Sequence, residues 1–534
     1  MKITIKYAGS WLLSVILFTG TMVSCTGDLD VVPIDPTVAT GANVYDDPEA
    51  YQQVLAKCYA VLAVSGQGGT DGDDITGIDS GFGQFLRAYW YLQEYPTDEA
   101  IIGWNDQTLQ DLHGQSWSSQ DIFITAMFAR IFNGIAIANE YIRETTDEKL
   151  DARQTDETLK ETVHQFRAEA RFLRAYFYSV GLDLFGNLPF VTEADAPGNF
   201  FPEQKSRAEI FSYVESELLA IEGSLVPAGE NQYGRVDQGA AWFLLARLYL
   251  NAEVYIGQPK YTEAISWLNR LISSGSYSLE EHYPYLFLAD NNLCTNEILW
   301  AIPFDGLNTQ TWGGMTYLVL ASVGGTMNPA DYGINSGWAG NRTTSAFVSK
   351  FSDVTGNTDT RALFHTDGQT LEITDVSRFD QGYAIGKWKN VDRNGVGGSH
   401  KTYPDTDFPM FRYADAYLMY AEAVLRGGEG GSRADALTYV NRVRHRAYGD
   451  DSGNIADAEL TLGFILDERA RELYWEAGRR TDLVRFGEFS DGDYTWPWKG
   501  GVAAGKKVDQ HFDLYPIPAS DLTSNPGLVQ NPGY

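Results

Sequence analysis

Residues 164–189 read HQFRAEARFLRAYFYSVGLDLFGNLP. Phe166, Ala170, Leu173, Phe177 and Val180 recur at spacings of three and four, which places them on one face of an α-helix. Gly186 and Pro189 then stop it, glycine by favouring a left-handed cap and proline by lacking the N–H that a further turn needs. The same behaviour returns along the chain. Residues 238–255, QGAAWFLLARLYLNAEVY, align Ala241, Leu244, Leu245, Leu248 and Val254. A further helix is predicted over 261–272, after a turn at Pro259, and three more over 411–425, 433–446 and 463–477. An earlier one is expected over 47–64. Short connections make neighbours antiparallel hairpins. Small alanines at close-packing positions point to tetratricopeptide-like units, although no uninterrupted array of about 34-residue repeats is present. The expected fold is mainly α: tetratricopeptide-like helix pairs packed as a scaffold over about 45–280 and 408–534. A loop-rich section with a few short strands lies between them, over about 281–407, and 45–534 is read as one domain.

Composition narrows the function. The chain has 534 residues and 44% apolar side chains, enough for a sizeable core. Its 71 acidic residues against 40 basic ones give a net charge of −31. A nucleic-acid partner wants a basic footprint, so none is expected, and an anionic membrane surface repels such a chain. Neutral ligands are compatible. The N-terminus reads as a secretory signal over 1–24: Lys2 and Lys6, then the apolar run WLLSVILF at 11–18, then small residues. The segment Met22-Val23-Ser24-Cys25 resembles a bacterial lipobox, which marks Cys25 for lipidation. Residues 25–44 follow as an extended tether with two prolines. Cys58 and Cys294 are read as isolated buried thiols.

One stretch fits neither helix nor core. Residues 311–338, TWGGMTYLVLASVGGTMNPADYGINSGW, hold six glycines, four large aromatics and one charged residue, Asp331. The two GG pairs break any long helix. The apolar run YLVLASV is far below the roughly 20 residues of a membrane span. A glycine-rich loop can hold flat rings facing outward, whereas large aromatics more commonly bury themselves.

Several stretches together carry a resemblance. RAEARFLRAYFYSVGLDLFGNLPFV (167–191), GAAWFLLARLYLNAEVY (239–255), FPMFRYADAYLMYAEAVLRGG (408–428), ERARELYWEAGRRTDLVRFG (468–487) and LYPIPASDLTSNPGLVQNPGY (514–534) resemble, in order and nearly end to end, the RagB/SusD family of surface glycan-binding lipoproteins. DLDVVPIDP, PTDEAIIGWNDQ, WGGMTYLV, NSGW and YPDTDFPMFR are similar to its starch-binding members. There an arc of aromatic rings, helped by polar side chains, cups the curve of an α-1,4-glucan. The resemblance implies that Trp312 and Trp338 are sugar platforms and that Arg87 hydrogen-bonds the sugar. The third platform position is Ile102 here, and Trp104, two residues on, is the ring that can replace it. Gln107 stands where the family has an asparagine. Tyr317 and Tyr332 are read as packing. The EARFLRAYFY helix, Arg471, Glu476 and Arg479 are read as structural.

The resemblance further implies an outer-membrane, lipid-anchored location facing the cell exterior. It also implies a partner, a SusC-like TonB-dependent transporter to which starch or maltooligosaccharides are delivered. No cofactor is required. A structural calcium is implied at Asp405 and Asp407, since a hard cation takes such oxygens, completed near Asn291 and Asn292. Two other readings stay open: another neutral glycan such as dextran or pullulan, and a structural subunit of the uptake complex whose rings pack inward. An enzyme is not expected. No G-x-S-x-G, H-E-x-x-H or P-loop motif occurs, and the seven histidines show no metal spacing. The adjacent pair Asp98-Glu99 is poorly placed to flank one glycosidic bond from opposite faces.

Overall fold

In this computed structural model, residues 44–534 are described, apart from Ala196, Pro197 and Asn199. The signal, Cys25 and all of the tether but Val44 lie outside the described residues. Two compact units are distinguished, one ending at Ala50 and the other spanning Tyr51–Tyr534. The principal helices are α1 (Ala50–Ala63), α2 (Phe85–Glu94), α3 (Ile122–Glu144), α4 (Glu157–Leu184), α5 (Arg207–Ile221), α6 (Gln238–Leu250), α7 (Tyr261–Ser273), α8 (Gly314–Leu320), α9 (Tyr413–Leu425), α10 (Arg433–Tyr448), α11 (Leu462–Leu473) and α12 (Arg479–Arg485).

The expected helix pairs are present. α3 packs on α4, α4 on α5, α6 on α7, α9 on α10, and α7 on α9. Polar caps define their starts. Asp156 accepts from Leu159 N at the head of α4, Asp237 from Ala240 N at α6, and Ser206 and Glu209 form a reciprocal capping box on α5. Such caps satisfy backbone N–H groups that a first turn leaves open. α4 starts seven residues earlier than its apolar pattern indicates, because its first two turns are polar and only Asp156 marks them. Its inner face is sealed by Phe172, Leu173 and Phe177, each fully buried, at about 1.5–3 kcal/mol apiece. α3 is long and apolar enough to cross a membrane, but it is a core helix here, packed on α2 and α4.

Strands are short. β4 (Ile298–Ile302) pairs antiparallel with β8 (Phe408–Arg412), so the intervening section leaves and rejoins the scaffold at one point. Phe411, expected to open a helix, belongs to β8 opposite Trp300 and stacks on Phe243 of α6. β1 (Ile101–Ile102) pairs with β5 (Asn341–Arg342). The glycine-rich stretch holds one α-helix after all, the seven residues of α8 starting at Gly314 of the first GG pair, and a short 3-10 turn over Pro329–Tyr332.

Candidate functional site

The β1–β5 register builds the site. Ile102 lies opposite Asn341, and Gly103 N donates to Gly340 O at 3.1 Å. Continuing past this pair brings Trp104 and Trp338 together, although they are 234 residues apart. Trp104 Nε1 donates to Trp338 O at 3.3 Å. A Cβ at Gly340 would lie 2.7 Å from the Trp104 ring, so glycine is what lets that ring settle on the backbone. Trp338 N donates to Leu320 O, at the end of α8, at 2.7 Å.

Trp312 enters from the other end of α8. Gln84, the cap of α2, accepts from Arg87 N and Gly314 N, both at 2.8 Å, and donates to Leu62 O and Ala63 O. A Cβ at Gly313 would fall 2.3 Å from that of Gln84, and Gly314 has φ +52°. The GG pair therefore permits the close docking that fixes Trp312.

The three tryptophans stand in a row. The Trp104 and Trp338 centroids are 6.1 Å apart with planes at 50°, and Trp338 and Trp312 are 6.3 Å apart at 41°. Tyr403, nearly buried, backs Trp312 at 5.5 Å. All three indoles are half-buried. Trp104 and Trp338, with Asn105 and Asp106, line an open concavity of about 540 Å³. Beneath it Tyr317 meets Trp104 edge-on at 6.1 Å, and the Tyr95 and Tyr317 hydroxyls both donate to Asn341 Oδ1. The rings thus rest on a packed floor. Such an arrangement offers apolar ring faces to sugar C–H groups and nearby polar groups to hydroxyls.

The supporting residues fall as follows. Arg87 is 5% exposed. Its Nε donates to Tyr91 Oη at 2.8 Å and its Nη1 to Trp312 O at 3.0 Å, with the guanidinium 4.4 Å from the Tyr317 ring. In this geometry Arg87 holds the Trp312 backbone from below. Gln107 is exposed at φ +50° and does not line the concavity, whereas Asn105 and Asp106 do. Ile102 is buried in β1, and Tyr317 and Tyr332 are buried as packing residues. Sequence reading passed over Asp71, whose Oδ1 accepts from Trp312 Nε1 at 2.9 Å. The partners are 241 residues apart, so no local pattern connects them.

The acidic candidates are structural. Asp98 receives two hydrogen bonds from Arg479, at 2.8 and 2.9 Å, and one from Tyr494. Burial opposes ionisation, but Arg479 and Lys350 outweigh it and hold Asp98 at about 2. Glu99 is buried and accepts from Trp475 N. Burial, reinforced by Glu94, raises its carboxyl well above the ordinary range. Neither faces the concavity.

The calcium expected at Asp405 and Asp407 does not fit its surroundings. Asp405 Oδ1 accepts from Gly306 N and Ser399 Oγ, and its Oδ2 from Ser399 N. Asp407 is 3% exposed and accepts from Phe304 N at 2.7 Å, while burial lifts its carboxyl to about 7. Asn291 is committed to the Asp407 backbone and to Leu286 O. Calcium wants roughly six to eight free oxygens. Here the carboxylates staple loops together instead. Among the described residues no cluster of three or more His, Cys, Asp or Glu could hold a metal.

The SusD family model matches residues 366–534. The Starch-binding protein SusD of Bacteroides thetaiotaomicron is 37% identical over 579 aligned residues, covering 99% of both chains. A SusD superfamily protein from Parabacteroides distasonis superposes with a TM-score of 0.70 at 23% identity, over 91% of this chain and 99% of its own. The surface glycan-binding protein A of Bacteroides thetaiotaomicron, solved with laminarihexaose, gives 0.68 at 19% identity, over 90% and 99%. These two solved structures share the fold. By the extent and identity of its match to the starch-binding relative, the chain belongs to the SusD family of non-catalytic, glycan-binding proteins.

Proposed function

We propose that the chain is a cell-surface receptor for α-glucans, starch and maltooligosaccharides, which it passes to a SusC-like TonB-dependent transporter in the outer membrane. The carrying observation is the row of Trp104, Trp338 and Trp312, whose successive tilts of 50° and 41° keep the platform from being flat. A coiled glucan presents sugar faces that turn from one residue to the next, which such a platform matches. A flat, ribbon-like glycan wants coplanar rings. The similarity to a starch-binding relative supports the same ligand class. Trp104 and Trp338 stack on sugars, Trp312 extends the arc, and Asn105, Asp106 and the outlying Gln107 are the hydroxyl partners. Arg87 positions Trp312. Attachment is through lipidated Cys25.

The site is shallow, so single chains bind weakly, with a Kd of roughly 10 µM to 1 mM, or about −7 to −4 kcal/mol. Calorimetry with maltoheptaose, dextran, laminarihexaose and inulin tests the reading. Heat is expected with maltoheptaose above all. Binding of inulin or laminarihexaose alone would overturn it.

A second expectation concerns Trp312. Asp71 anchors its indole N–H from an exposed loop. Asp71→Ala is expected to weaken maltoheptaose binding about 3- to 10-fold, the loss of about one modest hydrogen bond's worth of ring orientation. Asp71→Asn, which keeps the acceptor oxygen, should retain most of the affinity. Equal binding by Asp71→Ala and wild type would show that Trp312 needs no such anchor.

A further inference from the structure

The row of tryptophans carries an exposed carboxylate at each end. Asp106 lines the concavity beside Trp104 and Trp338. Its loop is fixed from below: Gln110 Nε2 donates to Trp104 O at 3.2 Å, and Leu109 N to Asp106 O at 2.9 Å. Asp71 stands at the other end, with Oδ1 on the Trp312 indole N–H. Among the described residues neither carboxylate is in an ion pair, and the Asp106 side chain has no hydrogen-bond partner. The cations beneath the row are covered and offset by other acids. Arg87 lies 4.7 Å from the Phe82 ring and 4.4 Å from that of Tyr317. Asp79 faces it across Gly81, where a Cβ would lie 3.1 Å from Arg87 Nη1 and 3.2 Å from Asp79 Oδ1. Arg342, wholly buried, gives its N–H groups to the carbonyls of Gly340, Val376 and Gln381, and Asp375 and Asp380 offset its charge. Lys401, two residues from Tyr403, turns toward Gly397.

We infer that Asp106 and Asp71 make the row selective by charge: it admits neutral glycans and rejects acidic ones, those bearing uronate, sulfate or phosphate groups. The inference rests on the reading of the chain as a glucan receptor and names the residues that narrow its ligands. A concavity of about 540 Å³ is no wider than about one Debye length, roughly 8–10 Å. A sugar seated on Trp104 or Trp338 therefore holds its substituents where salt screens Asp106 only in part. Like charges at that range repel, and the buried arginines offer an anionic group no N–H in return. A neutral sugar meets the same carboxylates as acceptors for its hydroxyls, in bonds strengthened by the charge. The net charge of −31 acts in the same direction from farther away, but Asp106 and Asp71 act at the ligand itself.

The test uses the full chain and two heptaoses, maltoheptaose and the same molecule oxidised at C6 to carry carboxylates, titrated by calorimetry at low and at high salt. The readout is the ratio of the two affinities. In wild type at about 0.02 M salt the oxidised heptaose should bind at least about tenfold more weakly, and about 0.5 M salt should shrink the gap. Asp71→Asn/Asp106→Asn keeps both acceptor oxygens and removes both charges. It should lower the ratio at least about threefold, whatever it does to maltoheptaose alone. Glu148→Gln/Glu161→Gln removes two exposed charges around the α3–α4 turn, outside the row, and should leave the ratio as it is. Equal binding of the two heptaoses by wild type at low salt overturns the inference. So does a ratio that the row variant leaves unmoved, or that the control moves as far; in each case maltoheptaose binding still upholds the receptor reading. A wild-type chain that binds neither heptaose removes both readings.

Discussion

Trp338→Ala is expected to weaken maltoheptaose binding at the arc by at least about 30-fold, while leaving the protein folded. Trp338 is the middle ring, 6.1 Å from Trp104 and 6.3 Å from Trp312. Its removal takes away one stacking face and also splits the platform into two isolated rings. Truncating a central aromatic anchor costs about 2 kcal/mol or more, and about 1.4 kcal/mol is a factor of ten. For a site of this affinity, that puts the tryptophan fluorescence change out of reach at usable ligand concentrations. The fold should tolerate the change. Trp338 is half-buried, and the bond from Trp104 Nε1 uses its backbone oxygen, which alanine keeps. A stability loss near 1 kcal/mol is expected, well below the about 3–5 kcal/mol of a deleted core tryptophan. Trp312→Ala should behave similarly and release Asp71 as well. Undiminished affinity in Trp338→Ala would mean that the row of rings is not the binding surface. Collapse of the melting transition would mean that the ring is core.

The scaffold was legible because amphipathic periodicity is local. Phe166 to Val180 on α4 and Ala241 to Leu248 on α6 carry it in plain sequence. Boundaries were less so. The run through Phe411 is apolar enough for helix or strand, and only its pairing with Trp300, over a hundred residues away, decides for β8. The helix expected to reach Ala477 ends at Leu473, because Trp475 and Ala477 adopt positive φ to bring the Trp475 indole to Glu99 O. The site divides in the same way. Trp312, Trp338 and Trp104 stand out in a glycine-rich or short polar context. Asp71, Asn105 and Asp106 do not, since their roles come from the β1–β5 register and from a loop that meets Trp312 in space. The surroundings of the implied calcium carboxylates were hidden for a related reason. Two carboxylates in a loop look like free ligands until the backbone N–H groups of Phe304, Gly306 and Ser399 are seen to occupy them.

Glu472→Ala should produce the largest stability loss of any single side-chain deletion considered, about 3–5 kcal/mol, read as a shift of the urea midpoint. Glu472, on α11, is completely buried and touches three arginines. Its Oε1 accepts from Arg412 at 2.9 Å and Arg446 at 2.5 Å, and its Oε2 from Arg361 at 3.3 Å. These three come from the loop-rich section, from β8 and from α10, so one carboxylate joins the section that carries Trp312 and Trp338 to the helical scaffold. Glu297, Glu468 and Glu476 share the same arginines but already serve their own partners. Removing one member of a buried ionic set leaves charge without compensation, which is where the about 3–5 kcal/mol arises. Glu472→Gln keeps an acceptor oxygen and should lose less. Burial opposes ionisation of Glu472, but Arg446, Arg412 and Arg361 hold its carboxyl below the ordinary range. Its contribution is therefore complete at neutral pH and is lost as pH falls below the unfolded value through the lowered one. Acid should thus shrink the difference between wild type and Glu472→Ala. The exposed pair Lys507–Asp493 supplies the control, since solvent screens it and Lys507→Ala should leave stability nearly unchanged. An effect of Glu472→Ala as small as that would show that the buried arginines are satisfied without it. A full loss at neutral pH, with maltoheptaose affinity unchanged in the molecules still folded, would separate the network that holds the arc in place from the rings that bind.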